Sequence, residues 1–144
     1  MPSILHDLPI AAEPDAVFKA ITTPAGLNEW WTLTSHGAPS LGSDYALGFG
    51  PSSQWHAKVM ESTTDRAFEL QMTNADNDWN GTRVGFRLTP REQGGTLLAF
   101  RHTGWAQANA HYRVSSCCWA MYLRILRRYL EHGERVPYDK RLDV

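Results

Sequence analysis

Runs of alternating apolar and polar residues extend over much of the chain and predict β-strands. The first run, 4–10, places Ile4, Leu8 and Ile10 on one face, together with His6. Further runs cover 44–50, 55–61, 67–72, 82–90 and 95–105. In the last two runs, the inner face is predicted to carry Val84, Phe86 and Leu88, and then Leu98, Phe100 and His102. Because short turn-like breaks such as STTDR and REQGG separate the later runs, the pattern predicts an antiparallel sheet with one solvated face.

Two short helices are predicted after the first strand. Glu13-Pro14-Asp15 is a typical helix start, since proline is tolerated in the first turn, and Val17, Phe18 and Ile21 then form an apolar stripe. Pro24 ends this helix, and PAGLNEWW predicts a second short one.

A long amphipathic helix is predicted near the end of the chain, within SSCCWAMYLRILRRYLEHGE. At about 100° per residue, its apolar side gathers Cys118, Trp119, Tyr122, Leu126, Tyr129 and Leu130. The polar side gathers Arg113, Cys117, Arg124, Arg127, Arg128 and Glu131. Gly133 is the predicted C-cap. The apolar side of such a helix must pack along the sheet, so the order of elements predicts an α+β fold.

The same segments carry a resemblance to a known group. VFKAITTPAGLNEWW, VMESTTDRAFELQM and the terminal helix with Trp119, Leu123, Leu126, Tyr129, Leu130 and Gly133 resemble the START-related helix-grip (SRPBCC) superfamily. Within it, they resemble the branch of heat-shock-ATPase activators and polyketide-cyclase-like domains, except that Cys118 stands where a glycine is usual.

The resemblance implies a curved antiparallel sheet wrapped around a long C-terminal helix, with an apolar cavity between them. The length of the chain predicts a single domain over 1–144, and its polar segment 136–144 is expected to be either a flexible tail or part of a partner surface. Members of the superfamily include ligand carriers, cyclases, hydrolase-like enzymes and chaperone partners, so the fold alone does not decide the function.

Charge and hydropathy exclude several classes of partner. Lys+Arg number 14 and Asp+Glu 15, which argues against nucleic-acid binding, and the Arg124, Arg127 and Arg128 cluster is interpreted as a solvated helix face. No apolar run is long enough for a membrane span, and the first residues do not resemble a secretory signal. We therefore expect a cytoplasmic protein without a membrane partner.

The adjacent cysteines Cys117 and Cys118 do not predict a disulfide or a metal site. A bridge between neighbours closes no loop, and no further ligands stand at zinc-site spacing. No nucleotide-binding or catalytic signature is present either, so we expect neither a metal nor a cofactor, and no catalytic residue is assigned.

The leading functional hypothesis is a cavity that binds a small hydrophobic or aromatic molecule. The candidate ligand-binding residues are Trp31, Trp55, Trp79, Phe86, Phe100, His102, Trp119 and Tyr122. Each aromatic side chain can alternatively be a core residue. Trp79, in the polar segment NADNDWNGT, is predicted to cover the ligand, to contact another subunit or to fold back on its own hairpin.

Two alternatives remain open at this point. His102, which points inward by parity, could act as acid or base in a cyclase- or hydrolase-like enzyme with Tyr122 assisting, although no carboxylate partner is evident and a satisfied core histidine is the simpler interpretation. A stand-alone partner of a heat-shock ATPase would instead present an exposed apolar patch around Trp30 and Trp79. A homodimer is compatible with a domain of this size.

Overall fold

A computed structural model gives the structure of residues 1–143. Its strands are β1 (Ile4–Ile10), β2 (Thr34–His36), β3 (Asp44–Gly48), β4 (Gln54–Thr63), β5 (Ala67–Asn74), β6 (Arg83–Pro90) and β7 (Thr96–Thr103). Its helices are α1 (Pro14–Thr22), α2 (Pro24–Trp30), α3 (Ala110–His132) and a terminal 3₁₀ helix (Tyr138–Asp143). The predicted α+β class and the order of elements are confirmed.

The strands form one antiparallel sheet in the order β1-β7-β6-β5-β4-β3-β2. Its inner face follows the predicted parity, because the cross-strand pairs Val84–His102, Phe86–Phe100 and Leu88–Leu98 are all buried. Register shifts between β4 and β5, at His56/Ala57 and Val59/Glu61, introduce the bulges that bend a sheet.

One short strand was not predicted. β2 has only three residues and pairs with β3 at the edge of the sheet. Its sequence, TSH, lies in a stretch rich in Gly, Pro and Ser and shows no apolar alternation. Its extended conformation therefore depends on pairing with β3 rather than on a local signal.

Helices α1 and α2 form a tight corner. Thr23 caps α2 by accepting a hydrogen bond from the Gly26 amide at 3.0 Å, and the Trp30 indole donates to the Ala20 carbonyl at 3.0 Å. A Cβ atom at Gly26 would lie 2.6 Å from the Cα atom of Ala20, so this crossing requires glycine.

Helix α3 is capped at its N-terminus by Asn109, whose side chain accepts from the Tyr112 amide, and at its C-terminus by Gly133 in the left-handed conformation (φ 65°). Its buried residues are Ser115, Trp119, Leu123, Ile125 and Leu126. Leu123 and Ile125 lie outside the predicted apolar stripe. They are buried because α1, α2 and the 3₁₀ helix also contact α3, so the helix is covered on more than its sheet-facing side.

Residues 138–143 pack against the body of the domain. The Arg141 side chain is 5% exposed and donates to the carbonyls of Thr32 (3.1 Å), Val136 (3.2 Å) and Asn28. The sequence had suggested a flexible or partner-contacting tail for 136–144. Residues 138–143 instead form the 3₁₀ helix that Arg141 anchors to the end of α2, and residue 144 lies outside the described residues.

Within residues 1–143, no helix combines the length and the apolar character needed to cross a bilayer.

Candidate ligand-binding site

A pocket of about 270 Å³ lies along the N-terminal half of α3. The helix contributes one continuous stripe at spacings of three and four residues: His111, Val114, Ser115, Cys118, Trp119 and Tyr122. Val114 is 59% exposed, so the pocket is open to solvent on this side. The opposite walls are formed by Trp31, Phe49, Ser53, Trp55, Trp79 and Tyr138.

Five aromatic side chains form a closed ring in the pocket wall. Successive ring centroids are 5.0 Å apart for Phe49–Trp55, 5.1 Å for Trp55–Trp79 and 5.8 Å for Trp79–Trp119. The circuit closes through Trp119–Trp31 at 5.1 Å and Trp31–Phe49 at 5.8 Å. Because these residues come from four different parts of the chain, the ring exists only in the folded protein.

Trp79 reaches this ring from the turn between β5 and β6. Its backbone amide donates to the Asp76 carboxylate at 2.9 Å, and its indole donates to the Ser115 hydroxyl on α3 at 3.3 Å. Its side chain is 7% exposed, and Trp30 is fully buried. The exposed apolar patch that the sequence placed at these two tryptophans is therefore absent, because both pack against Trp119.

A charged rim borders the pocket beside Trp79. His111 Nδ1 lies 2.9 Å from an Asp78 carboxylate oxygen, and its Nε2 lies 3.6 Å from Asp76. Hydrogen bonding from His111 lowers the pKa of Asp78, and Asn109 donates to the same carboxylate. These contacts connect the Trp79 turn to the first turn of α3.

His102 lies in the core behind the pocket and does not line it. Trp119 Nε1 donates to His102 Nδ1 at 3.1 Å, and His102 Nε2 lies 2.8 Å from Thr82 Oγ1. Since an indole nitrogen is only a donor, Nδ1 must be the acceptor and Nε2 must carry the proton. Burial, assisted by the charge of His111, lowers the pKa of His102 to about 3, so the ring is neutral and both its nitrogens are satisfied.

The eight candidate residues thus divide into two groups. Trp31, Trp55, Trp79, Trp119 and Tyr122 line the pocket, whereas Phe86, Phe100 and His102 do not. The latter three are at most 2% exposed. Phe86 and Phe100 pack edge to face at 5.5 Å, and Phe100 also contacts Trp119 at 4.5 Å. The side of Trp119 that faces the sheet is therefore filled by protein, and the open space is on the side toward Tyr138.

Several lining residues were missed by reasoning from the sequence. Phe49 and Ser53 are in a turn, and Tyr138 is in the segment predicted to be a flexible tail or a partner surface. Cys118, predicted on the apolar side of the long helix but not as a ligand-binding residue, lines the pocket, while Cys117 is exposed. The only available signal was the spacing of residues 111, 114, 115, 118, 119 and 122, which share one face of α3.

Trp105 is a further buried aromatic residue that the sequence did not single out. Its ring lies 4.8 Å from His102 and 5.4 Å from Tyr112, and the residue is 1% exposed. Among the described residues, its Nε1 is the one buried side-chain nitrogen or oxygen without a hydrogen-bond partner. Across residues 1–143 there is no group of three His, Cys, Asp or Glu side chains that could hold a metal ion.

The sheet, the two short helices and the long C-terminal helix define a START-related helix-grip domain, as the sequence resemblance implied. The sequence profile of the family described as "Activator of Hsp90 ATPase homolog 1-like protein" matches residues 11–131. The chain belongs to this family. Among curated proteins, none matches the sequence.

Solved structures agree with this assignment. The Aha1 dimer from Colwellia psychrerythraea is 30% identical, with a TM-score of 0.84, and the match covers 93% of this chain and 99% of that one. CalU16 from Micromonospora echinospora is 20% identical, with a TM-score of 0.72, and the match covers 98% and 83% of the two chains. A Mesorhizobium loti protein is 18% identical, with a TM-score of 0.80, and the match covers 92% and 99%. The last two likenesses show the fold alone.

Proposed function

We propose that this protein binds a small hydrophobic or aromatic molecule in the pocket beside α3. The observation that carries the proposal is the closed ring of Phe49, Trp55, Trp79, Trp119 and Trp31 in the wall of a solvent-accessible pocket. Ligand sites are mostly apolar and aromatic with a few polar groups, and Tyr122 and Ser53 supply such groups here.

The pocket volume limits the size of the ligand. A protein cavity of about 150 Å³ can hold benzene, and this pocket measures about 270 Å³. The space therefore suits one or two fused rings rather than a long lipid. Contact with several indoles would supply affinity through burial of apolar surface, at about 25 cal/mol per Å² before ordering costs.

Cys118→Phe tests the proposal, because residue 118 lines the pocket and a phenyl group would occupy it. In a thermal-shift and tryptophan-fluorescence screen with one- and two-ring aromatic compounds, a ligand at about one hundred times its Kd should stabilise the wild type by about 2.7 kcal/mol. We expect Cys118→Phe to weaken that binding at least about tenfold, which corresponds to about 1.4 kcal/mol.

Cys117→Phe is the matched control, since residue 117 is exposed and does not line the pocket. It should bind the same compounds as the wild type does. Equal binding by both phenylalanine variants would place the ligand elsewhere, and a complete lack of binding across the screen would overturn the proposal.

The enzyme alternative receives no support from the position of His102. An acid or base must reach the proton that it transfers, either directly or through one water. His102 is fully buried behind Trp119, and its two nitrogens are engaged by Trp119 and Thr82. A cyclase- or hydrolase-like reaction in this pocket would need other groups.

A second candidate function is that of a partner of a heat-shock ATPase. The match to the family described as activators of the Hsp90 ATPase favours it. The test is the ATP turnover of the purified heat-shock ATPase from the same organism, with and without this protein. A reproducible, saturable increase would support the role, and unchanged turnover together with no detectable complex would exclude it.

Homodimerisation is also proposed, because the Colwellia relative is described as a dimer. Light scattering coupled to size-exclusion chromatography over a range of concentrations would measure the mass directly. A mass near 16.2 kDa at every concentration would show a monomer.

A further inference from the structure

The pocket contains a hydrogen-bond donor that no protein group uses. The Tyr122 hydroxyl makes no hydrogen bond within residues 1–143. Its oxygen is accessible to solvent, so it faces the open space of the pocket. Burial raises the pKa of Tyr122 to about 12, which keeps the hydroxyl protonated at neutral pH. The Tyr138 hydroxyl differs, because it already donates to the Phe49 carbonyl at 3.2 Å. A free donor in an apolar pocket favours a ligand with an acceptor atom.

A buried positive charge lies behind the same wall. The Arg141 guanidinium is 5.3 Å from the centroid of the Tyr138 ring, and Tyr138 lines the same pocket as Tyr122. Both Tyr138 and Arg141 lie close enough to Tyr122 to influence its pKa. The hydrogen bonds of Arg141 go to backbone carbonyls, which carry no formal charge. The Glu29 carboxylate lies close enough to influence the pKa of Arg141, but it forms its ion pair with Arg135, at 3.7 Å. Arg141 therefore keeps its positive charge without an ion-pair partner among residues 1–143.

The ring of aromatic side chains and the carboxylates at the rim would, by contrast, favour a positively charged ligand. Indole faces attract cations, and Asp76 and Asp78 lie beside His111 at the rim. Asp78 is, however, already bonded by His111 and Asn109, and it is exposed to screening by solvent. Arg141 is buried, so its field is less screened. The Tyr122 donor and the Arg141 charge together favour a negative group at this end of the pocket.

We propose that the ligand is an aromatic acid or an acidic phenol, whose ionised oxygen accepts a hydrogen bond from Tyr122 at the Arg141 side of the pocket. This inference rests on the proposed function, since it names the class of molecule that the same pocket takes. In this proposal the Tyr122 hydroxyl selects the charge of the ligand by donating a hydrogen bond to it. The positive charge of Arg141, which lies behind the Tyr138 ring, makes a negative ligand more favourable.

Three probes that share a naphthalene ring system but differ in charge test this proposal. At neutral pH, 2-naphthoate is anionic, 2-naphthol is neutral and 2-naphthylmethylammonium is cationic. Calorimetric titration should show naphthoate binding about tenfold more tightly than naphthol, as expected for a hydrogen bond to a charged group rather than a neutral one. The cation should bind most weakly. Added salt should reduce the preference for naphthoate only slightly, because the charge is buried.

Tyr122→Phe should remove the preference for naphthoate over naphthol while the variant still binds naphthol. Tyr129→Phe, on the same helix but bordering a different depression, should keep the preference of the wild type. Arg141→Gln should reduce the preference for naphthoate over naphthol, because it removes the positive charge behind Tyr138. If that variant does not fold, the comparison of Tyr122→Phe with Tyr129→Phe still decides the question.

The outcomes separate the two proposals. Equal binding of all three probes, or tightest binding of the cation, would overturn the anionic preference and leave the aromatic pocket supported. A naphthoate preference that persists in Tyr122→Phe would overturn the assignment of Tyr122. Failure of every probe to bind would overturn the anionic preference, and the proposed function would fall only if the wider aromatic screen also found no ligand.

Discussion

At the scale of single residues, His102 shows how burial determines what a titratable group can do. Its position on the inner face follows from the alternation along β7, and its neutrality follows from burial beneath Trp119, Trp79 and Trp105. Its hydrogen bonds continue through Thr82, whose hydroxyl donates to the Trp79 carbonyl at 2.6 Å. His102 therefore connects α3 to the turn that carries Trp79 by holding Trp119 and Thr82 in place.

The lowered pKa of His102 predicts a pH-dependent stability. Between about pH 6.5, the ordinary value in an unfolded chain, and about pH 3, its value in the fold, the unfolded state binds the extra proton. The free energy of unfolding contributed by His102 is therefore complete above about pH 6.5 and is lost as the pH falls, at about 1.4 kcal/mol per pH unit. His102→Gln should be destabilised at neutral pH, and its deficit relative to the wild type should shrink toward pH 4, as measured by urea denaturation.

His56→Gln provides the control for this measurement. His56 lies on β4 and is exposed, so its replacement should change the free energy of unfolding at pH 7 by no more than about 0.5 kcal/mol. If the difference between wild type and His102→Gln were constant from pH 7 to pH 4, the ring would titrate normally and its assignment as a neutral buried group would be incorrect.

At the scale of elements, the corner between α1 and α2 positions one wall of the pocket. Trp31 follows directly after α2, so the angle of that helix determines where its indole lies. The angle depends on Gly26, which allows α2 to approach Ala20 of α1 closely, and on the hydrogen bond from Trp30 to the Ala20 carbonyl. Arg141 then binds the carbonyls of Asn28 and Thr32 at the end of the same helix.

We expect Gly26→Ala to destabilise the protein by about 1–3 kcal/mol, the usual cost of overpacking. Its Cβ atom would meet backbone atoms of Ala20 and Lys19 at 2.6–2.8 Å, and backbone cannot move aside as a flexible side chain can. Equilibrium urea denaturation would measure the change. Ala25→Ser, at an exposed neighbouring position, should change stability by no more than about 0.5 kcal/mol. A stable Gly26→Ala variant would show that the two helices lie further apart.

At the scale of the whole molecule, the tryptophans join elements that are distant in the chain. Trp119 contacts Trp30, Trp31 and Trp79, and Trp79 in turn contacts Trp55 and Trp105. One connected cluster thus links α2, β4, the β5–β6 turn, the segment after β7 and α3. Four of its six members, Trp31, Trp55, Trp79 and Trp119, line the pocket, so the integrity of the candidate site and of the core should be lost together.

This arrangement predicts that the chain unfolds as a single unit. Tryptophan fluorescence, which reports on the cluster, and far-ultraviolet circular dichroism, which reports on secondary structure, should give the same urea midpoint. Two separated transitions would contradict a single domain over 1–144 and would show that the cluster melts independently of the sheet.

The sequence alone was sufficient to predict those strands and helices in which apolar residues recur at a regular spacing. The strands from 44 to 103, the two short helices and the long helix were predicted because alternation and helical periodicity reflect which side of each element meets the core. The inward direction of His102 followed from the same parity. β2, with three residues and no alternation, and Leu123 and Ile125, buried by elements distant in sequence, had no such local signal.

By itself, the sequence therefore determined the α+β fold, the faces of its strands and the aromatic character of α3, because these depend on neighbours one to four residues apart. Only the tertiary structure decided which aromatic residues surround space and which fill the core. Phe100 and Trp55 have the same local pattern, yet Phe100 is packed against Trp119 while Trp55 joins the pocket ring. That difference depends on where the Trp79 turn and the 3₁₀ helix meet α3, and such distances between remote segments are set by the packing of the complete chain.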